Sequence, residues 1–201
     1  MQETIDLIDT LMQSRQTTLP KRLVAPGPDA LQLQRIVGSA AHAPDHGQLM
    51  PWRFVIISEA ARPALGEAFA EALLERDACA LPEQVQQARE KALRAPLLML
   101  LLVKDKSGDV SIDFAERVLS AGCAVQNMLL MATALGFGSA LTSGKALKST
   151  QLRSLFSLGT DEHALCFVSV GSAGRNKQAR VRPVAEQYVS TLSLEDQGNG
   201  P

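Results

Sequence analysis

Apolar side chains recur at helical spacing from residue 3 to residue 13: Ile5, Ile8, Leu11 and Met12 share one side of the turn, while Asp6, Asp9 and Gln13 fall elsewhere. A polar stretch with prolines, Ser14 to Pro28, breaks that pattern. Asp29 then stands where a helix N-cap belongs, ahead of Leu33, Ile36, Val37 and Ala40 on one face. This second helix must stop near Ala43-Pro44, because the residue before a proline avoids the α region. Trp52 to Ile57 reads as a strand, and two further helices are predicted over Ala61–Glu75 and Glu83–Arg94. Pro96 opens the run Leu97 to Val103, which is apolar on both faces and so belongs at the centre of its sheet. Asp113 to Leu135 predicts one long helix rich in Ala, Ser and Gly. Ala121, Gly122 and Ala124 would let another helix approach closely, and Gly136 supplies a C′ residue. A short helix, Ser149 to Phe156, and a strand, Leu165 to Val170, precede an extended basic tail. The end of the chain, Ser193 to Pro201, is polar and is expected to fray. Helices outweigh strands and no repeat or linker interrupts the chain. One α+β domain over residues 1–192 is the expectation.

With 201 residues and 46 % hydrophobic content, the chain can bury a real core. Charged residues make up 20 % and the net charge is −1, which argues against nucleic acid or an anionic membrane as partner. Lys21-Arg22 and the stretch from Arg175 to Arg182 are too local for a nucleic-acid footprint. The longest uninterrupted apolar run, Leu97 to Val103, falls far short of a membrane span. Val118 to Leu135 is apolar on average but is interrupted by Ser120, Gln126, Asn127 and Thr133. Met1-Gln-Glu-Thr lacks the basic-then-apolar order of an export signal. Cys79, Cys123 and Cys166 are isolated, odd in number and form no CxxC, so they read as small core residues in a reducing compartment. The expected location is the cytoplasm.

Three loops place polar groups, Gly or Pro at the end of a buried element. They are Ser14-Arg15-Gln16-Thr17, the segment His42 to Gln48 leading to Pro51-Trp52, and Gly136 to Gly144 with Leu141, Thr142 and Ser143. The tail motif Arg180-Val-Arg182-Pro183 is a fourth candidate. Taken singly, each has a plain explanation. Arg15 suits the C-terminal dipole of the first helix. His42 and His46 are four apart, but Pro44 lies between them and Gly47 follows, so they share no helical face and no metal site is expected. Gly136-x-Gly138 lacks the GxGxxG spacing and follows a helix where a dinucleotide fingerprint needs a strand. No GxSxG elbow and no Cys/His pairing offers a covalent nucleophile, and Ser143 within Thr-Ser-Gly reads as a turn residue. Together the loops suggest more. Guanidinium forks at Arg15, Arg180 and Arg182, with the Thr17 hydroxyl, suit a phosphate monoester. A Pro/Gly-shaped loop and a Thr-Ser-Gly turn could present backbone groups to a planar heterocycle. A site for a phosphate and a ring, without an acid, base or nucleophile of its own, fits a protein whose bound cofactor carries the reaction.

The run Ala43-Pro-Asp-His-Gly-Gln-Leu-Met-Pro51-Trp52-Arg-Phe resembles the APDH…PWxF motif of the smaller, YdjA-like nitroreductases. Ser120-Ala-Gly-Cys-Ala-Val-Gln-Asn-Met and Leu135-Gly-Phe-Gly-Ser…Ser143-Gly match the same family in order and spacing, and the resemblance runs from Ile5 to Tyr188. It implies a nitroreductase-like α+β fold, a central and mainly antiparallel sheet flanked by helices, in an intertwined homodimer with FMN at the subunit interface. It further implies that Arg15, Gln16 and Thr17 hold the FMN phosphate and ribityl groups, with Arg180 and Arg182 gripping the phosphate. His42, His46 and Gln48 would contact the flavin, and Leu141, Thr142 and Ser143 would pass its edge. Met131, Ala132, Thr133, Ala134, Leu135 and Gly136 correspond to a segment associated with the nicotinamide cofactor. Two departures from the family pattern matter: Arg-Arg-Ser is here Arg15-Gln16-Thr17, and an Arg has become His42. Each removes a fixed positive charge, which Arg180 and Arg182 would offset. The implied activity is a ping-pong transfer of two electrons from NADH or NADPH, through flavin N5, to an electron-poor small molecule such as a nitroaromatic or quinone. No protein side chain is catalytic in that scheme. The alternative is a non-catalytic FMN-binding sensor or storage protein. Without a Rossmann half, nothing in the sequence chooses between NADH and NADPH.

Overall fold

The computed structural model describes residues 1–174 and 181–193. Its strands are β1 (Leu23–Val24), β2 (Trp52–Ile56), β3 (Leu97–Lys104), β4 (Gly138–Thr142) and β5 (Glu162–Ala173). They pair antiparallel in the order β1-β5-β3-β2, with β4 also paired to β5. Every residue from Leu97 to Val103 is buried, as a strand with apolar side chains on both faces requires. Leu97, Met99, Leu101 and Val103 form one core with Ile36 of helix α2 (Ala30–Gly38) and Ala121, Ala124 and Met128 of helix α5 (Phe114–Ala134). Leu98, Leu100 and Leu102 form a second core with Leu65 of α3 (Arg62–Arg76) and Leu152 of α6 (Thr150–Leu155). Helix α4 (Pro82–Glu90) packs on α3, and α1 (Gln2–Ser14) rests against α5 without burying a residue. Each fully buried Leu of β3 contributes roughly 1.5–3 kcal/mol, so this strand is the main thermodynamic link between the two layers.

The helices begin and end where local chemistry allows. Asp29 accepts from the Gln32 N–H at 2.8 Å, and the Gln32 side chain accepts from the Asp29 N–H at 2.9 Å, a reciprocal capping box. A 3-10 turn, Ser39–His42, carries the chain out of α2 before Ala43-Pro44. Small residues of α5 receive that turn, with Ala121 and Ala124 fully buried. Gly136, at φ +84°, turns the chain from α5 into β4.

Among the described residues two arginines are buried and spend their donors mainly on main-chain carbonyls. Arg62 donates from Nε to Ile57 O at 3.2 Å and from Nη1 to Ala92 O at 2.8 Å, Arg94 O at 3.2 Å and Ala95 O at 3.3 Å. Its Nη2 donates to Pro96 O at 3.2 Å. The turn leading into β3 is therefore closed by one guanidinium, and it holds Ala95 at φ +65°. Gly171 makes the room: a Cβ there would sit 2.5 Å from Pro96 Cδ. Arg117 does the same for the loop before α5, donating to Ile112 O at 3.0 Å, Ser107 O at 2.7 Å and Asp109 O. At the other end of the sheet, Arg53 of β2 donates to Glu162 of β5 through Nε at 2.7 Å and Nη2 at 3.2 Å. The bound guanidinium holds the Glu162 carboxyl down at about 2, against an ordinary value of 4.5.

Four expectations need correction. Gly136 to Gly144 is not all loop, because Gly138–Thr142 forms β4. Its Gly-Ser-Ala start buries Ser139 and Ala140 in succession, so no alternation of large apolar side chains marks it as a strand. The last strand spans Glu162–Ala173 rather than Leu165 to Val170, since its ends pair with Lys104 of β3 and Leu23 of β1. The two-residue β1 was not anticipated within the polar stretch Ser14 to Pro28. Cys79 is exposed on the connection between α3 and α4 rather than a core residue, and Cys123 and Cys166 are half-buried. Residues 194–201, expected to fray, lie outside the described residues.

Arg62→Met should leave the carbonyls of the pre-β3 turn without their donor. A loss of roughly 3 kcal/mol is expected, a fall in Tm on the order of 10 °C. A shift of less than about 2 °C in differential scanning calorimetry would contradict the clamp. Because the folded-state pKa of Glu162 is depressed, its ion pair with Arg53 stabilises fully above pH 4.5 and is lost as pH falls toward about 2. The Tm difference between wild type and Arg53→Met should therefore shrink over that window, and a constant difference would count against it.

Candidate functional site

The segment after α1 is built against β4. The Arg15 N–H caps α1 by donating to Leu11 O at 3.1 Å. Thr17 then forms a parallel bridge with Ser139, and the Thr18 N–H donates to Ser139 O at 2.8 Å. This close approach needs a glycine at 138. A Cβ there would meet Ala173 Cβ at 2.8 Å, Leu23 Cδ2 at 2.9 Å and Thr18 Oγ1 at 3.0 Å. The chain continues through a 3-10 turn, Pro20–Arg22, which brings Leu19, Pro20 and Lys21 beside the far end of β4.

A cavity of about 570 Å³ opens at that end. Its floor is the sheet face carrying Leu98, Phe167 and Ser169, and one wall is Phe69, Leu73 and Arg76 of α3. Lys91 and Arg94 enter from the turn that Arg62 clamps, and Thr142 to Leu147 complete the rim. Among the described residues the lining includes Lys21, Arg76, Lys91, Arg94 and Lys145 and no carboxylate, so the cavity presents a positive field to an anion. Ser169 is 1 % exposed, and its Oγ has no hydrogen-bond partner among the described residues. An apolar floor, a cationic surround and a polar group left unpaired suit an anionic ligand with a flat, heteroatom-bearing body.

The Nitroreductase family profile matches residues 21–172 of this chain. A Haemophilus influenzae protein named "Putative NAD(P)H nitroreductase" is 31 % identical over 184 residues, covering 91 % of this chain and 98 % of that protein. The Escherichia coli K12 protein named "Putative NAD(P)H nitroreductase YdjA" is 32 % identical over 171 residues, covering 84 % and 88 %. This chain belongs to the nitroreductase family. The fold agrees: the structure of the FMN and NADPH-dependent nitroreductase NfnB, from a Sphingopyxis strain and carrying Y88A, superposes with a TM-score of 0.72. That likeness covers 92 % of this chain and 99 % of NfnB at 16 % identity.

Within this nitroreductase fold a single chain brings only some of the expected residues together. Thr142 and Ser143 line the cationic cavity, whereas Leu141, the alternate residue of β4, is exposed and does not. Arg15 and Arg182 meet, the Arg182 Nη2 donating to Arg15 O at 2.8 Å, while Gln16 and Thr17 lie along the start of β4. Arg180 lies outside the described residues. Gln48 belongs to a second cavity, about 690 Å³, on the opposite sheet face between Ala40, Ala43, Asp45, Trp52 and Phe54. His42 is exposed at the end of its 3-10 turn. His46 Nδ1 lies 2.7 Å from Glu116 Oε2, tying the 43–50 loop to the first turn of α5 and holding the Glu116 carboxyl below its ordinary range. Residues 131–136 line neither cavity.

The residues the sequence reading missed are Lys21, Arg76, Lys91, Arg94, Lys145 and Ser169. Lys91-Ala-Leu-Arg94, just ahead of the apolar β3 run, was the one available signal, and it reads equally well as a solvated helix end. Gly138→Ala should force the 15–18 segment away from β4. A loss of about 1–3 kcal/mol in urea unfolding is expected, and an unchanged midpoint would refute that packing.

Proposed function

We propose that this chain is an FMN-dependent NAD(P)H oxidoreductase that passes two electrons to an electron-poor acceptor of the nitroaromatic or quinone type. The observation that carries this reading is the cavity rimmed by Thr142-Ser143-Gly144 and lined, among the described residues, by five cations and no carboxylate. FMN fits its chemistry: a phosphate dianion needs fixed positive charge, and a flat ring needs apolar surface such as Leu98, Phe69 and Phe167. The relatives' names, NAD(P)H nitroreductases and an FMN and NADPH-dependent nitroreductase, point the same way. Bound FMN supplies two-electron redox chemistry at N5 between a reduced nicotinamide and the acceptor.

The protein's own part is to bind and to polarise. Arg15, Gln16, Thr17 and Arg182, with Arg180, are the candidates for the phosphate end. Lys91, Arg94 and Lys145 supply positive potential where negative charge builds up, and the helical wall keeps water from the apolar floor. His42, His46, Gln48 and residues 131–136 lie away from this cavity in one chain, so their expected roles require a second copy. A homodimer is also favoured by α1, which buries nothing and leaves Ile5 47 %, Leu7 68 % and Ile8 49 % exposed. One domain over residues 1–192 and a cytoplasmic location belong to the same reading. No helix among the described residues is long and apolar enough to cross a membrane, and the three cysteines are unpaired.

The test is anaerobic: load FMN, add NADH or NADPH, follow loss of the yellow colour, then add a nitroaromatic or a quinone. Bleaching followed by reoxidation is expected. A protein that stays yellow with both nicotinamides is instead a flavin sensor or store, and one that takes up no FMN overturns the reading. Lys91→Gln combined with Arg94→Gln should weaken FMN binding by roughly 10- to 100-fold, because each loses a charge-assisted contact. That loss should shrink at high salt.

A further inference from the structure

Ser169 lies on β5 between Phe167 and Gly171, opposite Leu98 of β3 and Ala140 of β4. Strand alternation puts it on the same sheet face as Phe167, and both belong to the cavity floor. Its side chain is 1 % exposed and its Oγ is unpaired among the described residues. Folded proteins seldom leave a buried hydroxyl without a partner, since each such group is destabilising by about 1–3 kcal/mol. The one other orphan of this kind among the described residues, Asp105 Oδ1, belongs to a carboxylate already bound to His163 at 3.0 Å through Oδ2. Ser169 has no such second tie.

We propose that Ser169 is a ring-binding residue, its hydroxyl forming a hydrogen bond with a heteroatom of the flavin seated in the cationic cavity. The proposal rests on the FMN reading and adds to it a contact on the sheet floor. The ring, rather than the phosphate, is the partner because of what surrounds the hydroxyl. Leu98 and Phe167 flank it on the floor, whereas Lys21, Arg76, Lys91, Arg94 and Lys145 come from the turns and helix around it. The phosphate has its own candidates in Arg15, Gln16, Thr17 and Arg182 beside the start of β4, and the planar heterocycle is left with the apolar floor and the cations around it. A serine hydroxyl both donates and accepts and has three staggered positions about χ1, so it can pair with a ring carbonyl or a ring nitrogen.

Two variants test this. Ser169→Ala removes the hydroxyl, and Ser169→Cys keeps the side-chain shape with a somewhat larger atom but weakens the hydrogen bond. Dissociation constants for FMN and for riboflavin, which lacks the phosphate, are measured by flavin fluorescence, and the Tm of each apoprotein by calorimetry. Both variants should bind both ligands about three- to tenfold more weakly, by the same factor for each ligand. Their visible flavin band should shift, while apoprotein Tm stays equal to or above wild type because an unpaired buried hydroxyl has gone. Unchanged dissociation constants overturn the proposal. So does a loss confined to FMN, which would move the contact to the phosphate, or an affinity loss accompanied by a fall in apoprotein Tm in both variants. If wild type itself binds neither flavin, the functional reading falls and this proposal with it. Wild-type binding with indifferent variants removes Ser169 alone.

Discussion

A guanidinium buried among carbonyl oxygens decides how the chain enters its central strand. Arg62 gathers the carbonyls of Ala92, Arg94, Ala95 and Pro96 onto one side chain, and β3 starts where that cluster ends. Charge buried without a carboxylate is tolerable only when dipoles satisfy it, and here main-chain dipoles do so. The cavity inherits its wall from this arrangement, because Lys91 and Arg94 ride on the clamped turn. Arg117 performs the matching task on the other face of the sheet. The loop it closes supplies Ile112 and Gly108, which pack against Gly47 and Leu49 in the 43–50 loop. Both candidate cavities thus rest on loops held by an arginine that lines neither of them.

The division of candidate residues between the two sheet faces is equally informative. A five-stranded sheet separates the cationic cavity from the 43–50 loop, so His46 and Thr142 of one chain do not share a pocket. A family site assembled from both sets therefore needs two chains, and the uncovered apolar stripe of α1 is in keeping with that. Gln16 and His42, expected from the family resemblance to cost the site positive charge, have in the proposed reading a counterweight that the sequence did not show. Lys91 and Arg94, together with Lys21, Arg76 and Lys145, surround the cavity with fixed positive charge.

Much of the fold was legible because its signals are local. The β3 run, the Asp29 capping box, the small-residue helix α5 and the Gly136 stop each follow from a few neighbouring residues. β4 was not legible, because Gly138, Ser139 and Ala140 carry no large apolar side chains and the strand exists through pairing with β5. The site was half visible. Thr142 and Ser143 stood out beside a Gly-bearing turn, whereas the five cations come from four separate stretches of chain and meet only in three dimensions. Ser169 sits in a β-strand like any half-polar residue, and its lack of a partner among the described residues is a property of the packed state alone.

The clamp at Arg62 has an evolutionary corollary. Its hydrogen bonds go to main-chain oxygens alone, so it recognises the path of residues 92–96 and not their lettering. Positions 91 and 94 can exchange side chains without disturbing the turn, apart from the constraints at Ala95, with its positive φ, and at Pro96, wedged against Gly171. The wall of the cavity is thereby uncoupled from the stability of the fold. Descendants of this chain are free to retune what the pocket accepts while keeping the scaffold that presents it.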